Sequence, residues 1–233
     1  MKEFDLPHDP HYAFTALFWV MIVNILATGF LSASAFATSI GNVTSAGVLL
    51  AAIYLVSHSR RWLIILSLTS VPAIVNNSLV SFLGMPELES INNVLFVLSH
   101  ISVTVFLVLT LIYARHANLS TIYAAMCVYL MMGQSWTYVY LAIEAWQPGS
   151  FIFNDELRVL GQLNYHELMV EMEYFSYVTL TTLGYGDITP VAPAARSVTI
   201  LEAILGQLYL TIVLARLVGL YLQERTAKAS PDN

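Results

Sequence analysis

The chain has 233 residues, 58% of them apolar and only 10% charged, with a mean hydropathy of +0.70, which excludes a water-soluble domain of this length and places it in a bilayer. The formal charge of −6 argues against a nucleic-acid partner. A single cysteine, Cys127, within an apolar segment allows no intrachain disulfide and says nothing about redox compartment.

Met1 to Pro10 mixes Lys2 with Glu3, Asp5 and Asp9, too acidic to open a secretory signal. Ala35-Phe36-Ala37 resembles a cleavage site, but the expectation is an uncleaved chain. Six segments reach or approach the length needed to cross about 30 Å of hydrocarbon. They are Ala13 to Ser32, Phe36 to Ser57, Trp62 to Leu83, Ile91 to Arg115, Thr121 to Trp146 and Ser197 to Leu222. The second is thinned by Ser39, Gly41, Asn42, Thr44 and Ser45, and Pro72 should kink the third. Asn76 and Asn77, one turn on, read as hydrogen-bonding partners of neighbouring helices rather than as a ligand site.

Basic residues orient the chain, because loop Lys and Arg favour the cytoplasm. With both termini inside, Lys2, Arg60, Arg61, Arg115, Arg216, Arg225 and Lys228 fall at the cytoplasmic side, against Arg158 and Arg196 outside. Seven against two supports six crossings. Glu87, Glu89, Glu144, Asp155, Glu156, Glu167, Glu171 and Glu173 then lie toward the outer side, either as a cation-concentrating vestibule or as a solvated turret. Phe151-Ile152-Phe153 rests on the membrane surface or caps a neighbour, and Arg216 is expected to snorkel to headgroups.

Leu168 to Thr181 is too short to span, so it reads as a re-entrant helix, tolerated because protein surrounds it, with its negative dipole end favouring a cation. Tyr174, Phe175 and Tyr177 would form an aromatic collar. In Thr181-Thr182-Leu183-Gly184-Tyr185-Gly186-Asp187, two glycines flank one aromatic residue and free the backbone for conformations a Cβ forbids. Four such strands around an axis would stack rings of oxygen at Thr182, Leu183, Gly184 and Tyr185, able to replace the water shell of K⁺.

These residues match the signature T-x-G-Y-G-D, and the chain from about Thr121 to Leu222 resembles the pore module of the potassium-channel family. The resemblance implies an all-α membrane fold of six transmembrane helices, with a re-entrant pore helix and a selectivity filter at Thr182 to Gly186. It divides the chain into a four-helix domain, 1–116, in the voltage-sensor position, and a pore domain, 117–233. One filter per chain implies a homotetramer. Asp187 would sit behind the filter and accept a hydrogen bond from Tyr174, where many relatives have a tryptophan.

The front domain departs from the family's pattern. Asn92 to Ala114 holds no Arg or Lys, and a voltage sensor needs several, so sharp voltage gating is not expected. His100 is the one titratable group in that helix that could report pH, either doing so or, as preferred, serving as a packing histidine bonded to Ser or Thr. The short link His116 to Ser120 suggests that the front helices pack on their own chain's pore.

In the last helix Gly206 is a candidate hinge or close-packing point. Ala203, Gln207, Leu210 and Leu214 share one stripe and are the candidate cavity lining. Glu202 points away from that stripe, toward the re-entrant helix or the fifth helix, as a functional acid or a structural one. Only Gln223 to Asn233 follow, so no cytosolic nucleotide- or calcium-binding module is expected; a separate regulatory protein stays open.

The expected function is passive, voltage-insensitive K⁺ conduction across the cell membrane, with no cofactor. The alternatives are a membrane subunit of a potassium uptake system or a non-conducting regulatory subunit. An enzyme is not expected, since His166-Glu167 lacks the second histidine of a zinc-hydrolase helix.

Overall fold

The computed structural model describes residues 10–30, 35–56, 59–83, 89–113, 119–153 and 163–229. Glu87, Asp155, Glu156, Arg158, Arg115 and most of the His116 to Ser120 link lie outside the described residues, as does the side chain of Leu214. Long apolar runs leave a helix as the structure that satisfies every backbone group internally, and helices dominate. They are α1 (Pro10–Phe30), α2 (Ala35–Leu55), α3 (Arg60–Leu83), α4 (Glu89–Tyr113), α5 (Leu119–Trp146), α6 (Tyr165–Leu180) and α7 (Pro193–Ala229). Two short strands, β1 (Phe151–Phe153) and β2 (Ile188–Pro190), pair antiparallel with Ile152 opposite Thr189.

Among the described residues, four helices are long and apolar enough to cross a membrane by length and composition: Tyr12–Phe30, Arg60–Leu79, Ile91–Tyr113 and Pro193–Leu220. The apolar part of α2 is shorter, Ser45–Leu55. Helix α5 has 28 residues, about 42 Å at 1.5 Å per residue, but its buried face carries Gln134, Ser135, Thr137 and Glu144.

Helices α1 to α4 pack in succession, and α1 and α4 also lie against α5. Helix α5 is the shared wall, because α6 and α7 pack on it too. One continuous apolar core runs through this wall, from Phe14, Leu17 and Met21 on α1 and Phe96 and Leu107 on α4, through Met131 on α5, to Met172 and Phe175 on α6. Helices α1 and α4 therefore pack directly on α5 of their own chain, and reach α6 through hydrogen bonds between Thr28 and Glu173 and between Tyr165 and Asn93. Helix α3 runs unbroken through Pro72. Beyond it the Asn76 amide donates to Asn92 Oδ1 at 3.2 Å, and Asn92 donates to Asn77 at 3.4 Å, a packing role.

Three expectations about single residues change. Phe151 is fully buried, its ring edge-on to Tyr140 and Phe175 at 5.4 Å, because strand pairing aims alternate residues to opposite faces; only Ile152 of that run faces outward. Arg216 does not snorkel: its guanidinium donates to the carbonyls of Leu111 (3.2 Å) and Ile112 (2.6 Å), capping the open end of α4. His100 bonds no Ser or Thr; its Nδ1 lies 2.9 Å from the carbonyl oxygen of Phe96, one helical turn back.

Candidate functional site

Helix α6 aims its C-terminus at the Thr181–Asp187 loop, and its start is fixed locally. The Asn164 side chain accepts from Glu167 N at 3.0 Å, and the Glu167 carboxylate accepts from Asn164 N at 2.9 Å, a reciprocal capping box. The helix begins at Tyr165, a few residues before the expected Leu168, because this cap supplies the starting signal ahead of the apolar run. At its far end Thr182 N donates to Thr179 O and Leu183 N to Val178 O, each at 2.9 Å, so the helix leads into the loop without a gap.

Along the loop the backbone alternates. Thr182, Gly184 and Gly186 have φ of 60°, 59° and 77°, whereas Leu183 and Tyr185 between them are not positive. Successive peptide planes of alternating hand turn their carbonyls to one side, which a run of uniform φ cannot do. The glycines accept this freely. Thr182, β-branched, does not: such a residue in the left-handed region costs about 1–3 kcal/mol and persists because its surroundings impose it. Residues 181–187 are all exposed on the single chain, with Tyr185 at 66%.

The loop is braced at both ends. The Tyr174 hydroxyl donates to Asp187 Oδ2 at 2.6 Å, and Asp187 Oδ1 accepts from its own neighbour Ile188 N at 3.1 Å. Desolvation first, and then the Asp187 bond and charge, push the Tyr174 phenol up to about 12, so it stays a donor at neutral pH. The β1–β2 ribbon then carries the chain to α7, with Val191 N donating to Ser150 O at 2.8 Å. The three aromatic residues expected as a collar part company. Tyr174 holds the loop, Phe175 packs 5.1 Å from Tyr140 in the core, and Tyr177 donates to Leu130 O on α5 at 2.9 Å.

Behind α6, Glu202 is fully buried and meets both helices that its place in the sequence left open. Its carboxyl accepts a short bond from the Tyr140 hydroxyl of α5 and one at 2.6 Å from the Ser176 hydroxyl of α6, which also lies 2.8 Å from Gly133 O. Four helical residues on, a methyl on Gly206 would stand 2.8 Å from Leu180 O, so this glycine is a point where α7 and the end of α6 touch. Ala203 is half-buried and Gln207 and Leu210 are exposed, beside the Glu202–Gly206 stripe rather than on it.

Among the described residues, three of the acids expected around an outer vestibule are engaged in holding the fold. Glu144 accepts from Gly149 N (2.6 Å) and Ser150 N (2.9 Å), closing the turn into β1. Glu167 caps α6, and Glu173 accepts from Thr28 of α1 at 2.6 Å. The Tyr140–Glu202–Ser176 contact, the capping box and the Arg216 cap were not foreseen as pairs. The Asn164-to-Glu167 spacing was the one local signal that could have found the box.

Residues 157–223, which include α6, the loop, β2 and most of α7, match a family model described as ion channel. No curated protein gives a match. The matched stretch is thus similar to a domain that conducts ions passively across membranes, a class without catalytic chemistry.

Proposed function

We propose that four copies of this chain assemble around the Thr181–Asp187 loop into a potassium-selective pore, with Thr182, Leu183, Gly184 and Tyr185 presenting the oxygens that replace the hydration of K⁺ and Gly186 completing the turn. The observation that carries this reading is the alternation of φ along Thr182–Gly186, which supports carbonyls facing one side, held there at a strained threonine. The match to an ion-channel model over the same residues supports conduction as the activity.

Assembly is supported by what the single chain leaves bare. Only 12% of the most apolar stretch of α7 is buried within its own chain, and Ile200, Leu201, Ile204 and Leu208 are at least 48% exposed. A fourfold arrangement places neighbouring copies and lipid on those faces, with Ala203, Gln207, Leu210 and Leu214 toward the central cavity. In this reading α1 to α5 and α7 cross the cell membrane with both termini cytoplasmic, and residues 1–116 form a front domain apart from the pore domain 117–233. Helix α4 has no Lys or Arg among its described positions, which supports voltage-insensitive conduction.

The test is flux of K⁺, Rb⁺ and Na⁺ into proteoliposomes of the purified chain across pH and voltage. K⁺ and Rb⁺ entry far above Na⁺, with little voltage dependence, is the expected result. Comparable Na⁺ and K⁺ permeation would overturn the selectivity, and absence of flux under every condition would favour the uptake-subunit or regulatory-subunit reading.

A further inference from the structure

Glu173 of α6 is held differently from the other acids that brace this fold. Glu144 accepts from the backbone N–H groups of Gly149 and Ser150, and Glu167 from that of Asn164, donors that favour a carboxylate. Glu173 is 8% exposed, and among the described residues its one hydrogen-bond partner is the Thr28 hydroxyl of α1, at 2.6 Å. That hydroxyl also lies 3.1 Å from Asn24 O and 2.9 Å from Ile25 O. Both are carbonyl oxygens and can only accept.

The Thr28 hydroxyl therefore faces the acid on one side and its own helix on the other, with a single hydrogen to give. When Glu173 is a carboxylate, it competes with the α1 carbonyls for that hydrogen. When Glu173 is a neutral acid, its own hydrogen goes to Thr28 and the Thr28 hydrogen goes to the carbonyls, so both sides are satisfied at once.

The surroundings give a charge little support. Across a small polar cavity, α2 presents Ser45, α4 presents His100, and α5 presents Gln134 and Tyr138. His100 is already engaged by Phe96 O and by Gln134. On the other side runs a groove of about 380 Å³, open on the single chain, with apolar walls at Ile25, Leu130, Val170, Val178 and Leu183 and with Tyr174 and Tyr177 as its other titratable members. Among the described residues no Lys or Arg borders either space. The titratable groups facing Glu173 are thus His100, Tyr138, Tyr174 and Tyr177, and a carboxylate there would have one hydroxyl to set against the loss of its water.

We propose that Glu173 and Thr28 form a proton-operated latch between the front helices and the helix behind the Thr181–Asp187 loop. With the proton in place, neutral Glu173 donates to Thr28 and α6 stays docked on α1. Loss of the proton leaves a charge that one hydroxyl does not compensate, and the side chain turns into the groove, where water reaches it. The docked contact is therefore present at low pH and lost as pH rises. Glu173 directly precedes Tyr174, which braces Asp187, so the latch bears on the loop through the helix itself. This holds whichever ion the pore selects.

The test uses the full chain in liposomes, with ¹³C in glutamate and threonine and ¹⁵N in tyrosine and glycine. Glu173–Tyr174 is the one glutamate–tyrosine step in the sequence and Thr28–Gly29 the one threonine–glycine step, so solid-state NMR selects both residues. The Glu173 carboxyl shift reports its proton, and transfer between that carboxyl and Thr28 reports the contact. Between about pH 5 and about pH 9, the expected series begins with a neutral carboxyl in contact with Thr28 and loses the contact as the carboxyl ionises. In Glu173→Gln, whose amide also donates to Thr28, the contact should persist at every pH. A carboxyl that ionises while still in contact, one that stays neutral throughout, a neutral carboxyl without the contact, or the same loss in Glu173→Gln would each overturn the proposal. The wild-type series decides even where the variant does not fold.

Discussion

Replacing Tyr174 with Phe removes one hydroxyl and leaves the ring, so it isolates the 2.6 Å bond to Asp187. A hydrogen bond to a charged group contributes about 1.5–3 kcal/mol, but Tyr174 is 37% exposed and Asp187 is exposed as well, so water competes and the lower end applies. About 1.5 kcal/mol per subunit is roughly a tenfold shift in any equilibrium between the braced loop and a relaxed one. Because the loop stores strain at Thr182, releasing the brace favours collapse, read on the proposed function as inactivation. Single-channel recording in planar bilayers should give open lifetimes shortened about tenfold. Tyr174→Trp, which keeps an N–H donor, should recover most of the loss. Equal lifetimes in wild type and Tyr174→Phe would refute the reasoning, since the bond would then hold nothing that conduction needs.

Three further substitutions probe the frame. Glu202→Gln can still accept from Tyr140 and meet Ser176, so thermal unfolding should change by no more than about 1 kcal/mol, whereas Glu202→Leu leaves Ser176 its bond to Gly133 O but removes the acceptor of the buried Tyr140 hydroxyl, at about 1–3 kcal/mol. Equal tolerance of both would remove the structural role. Gly206→Ala drives a methyl to 2.8 Å from Leu180 O and should destabilise the assembly by about 1–3 kcal/mol, measured by thermal dissociation; slowed opening with unchanged stability would instead mark a hinge. Arg216→Leu uncovers the last carbonyls of α4 and should cost about 1.5 kcal/mol or more in thermal unfolding, and an unchanged midpoint would restore the snorkelling role.

The loop and its supporting helix were legible because their signals are local. Gly184 and Gly186 announce unusual backbone by lacking a Cβ, and the pairing of Tyr174 with Asp187 was expected from the resemblance to the potassium-channel pore. Helix positions followed from apolar run lengths, with ends within a few residues except for α7, which continues to Ala229 because nothing in its polar tail breaks a helix. What stayed hidden depends on distance along the chain. Tyr140 and Glu202 are 62 residues apart, and Arg216 and Leu111 are 105 apart; no periodicity encodes such partners. Phe151 was misread for the same reason. A three-residue strand takes its burial from β2, 37 residues later, rather than from its own pattern.

The most direct measurement of the proposed pore is a cryo-electron microscopy reconstruction of the purified chain in lipid with K⁺ present. The expected particle has fourfold symmetry, with a column of ion density on the axis between the oxygens of Thr182, Leu183, Gly184 and Tyr185. A monomer, or an assembly whose Thr182–Gly186 carbonyls turn away from a common axis with no density between them, would contradict it.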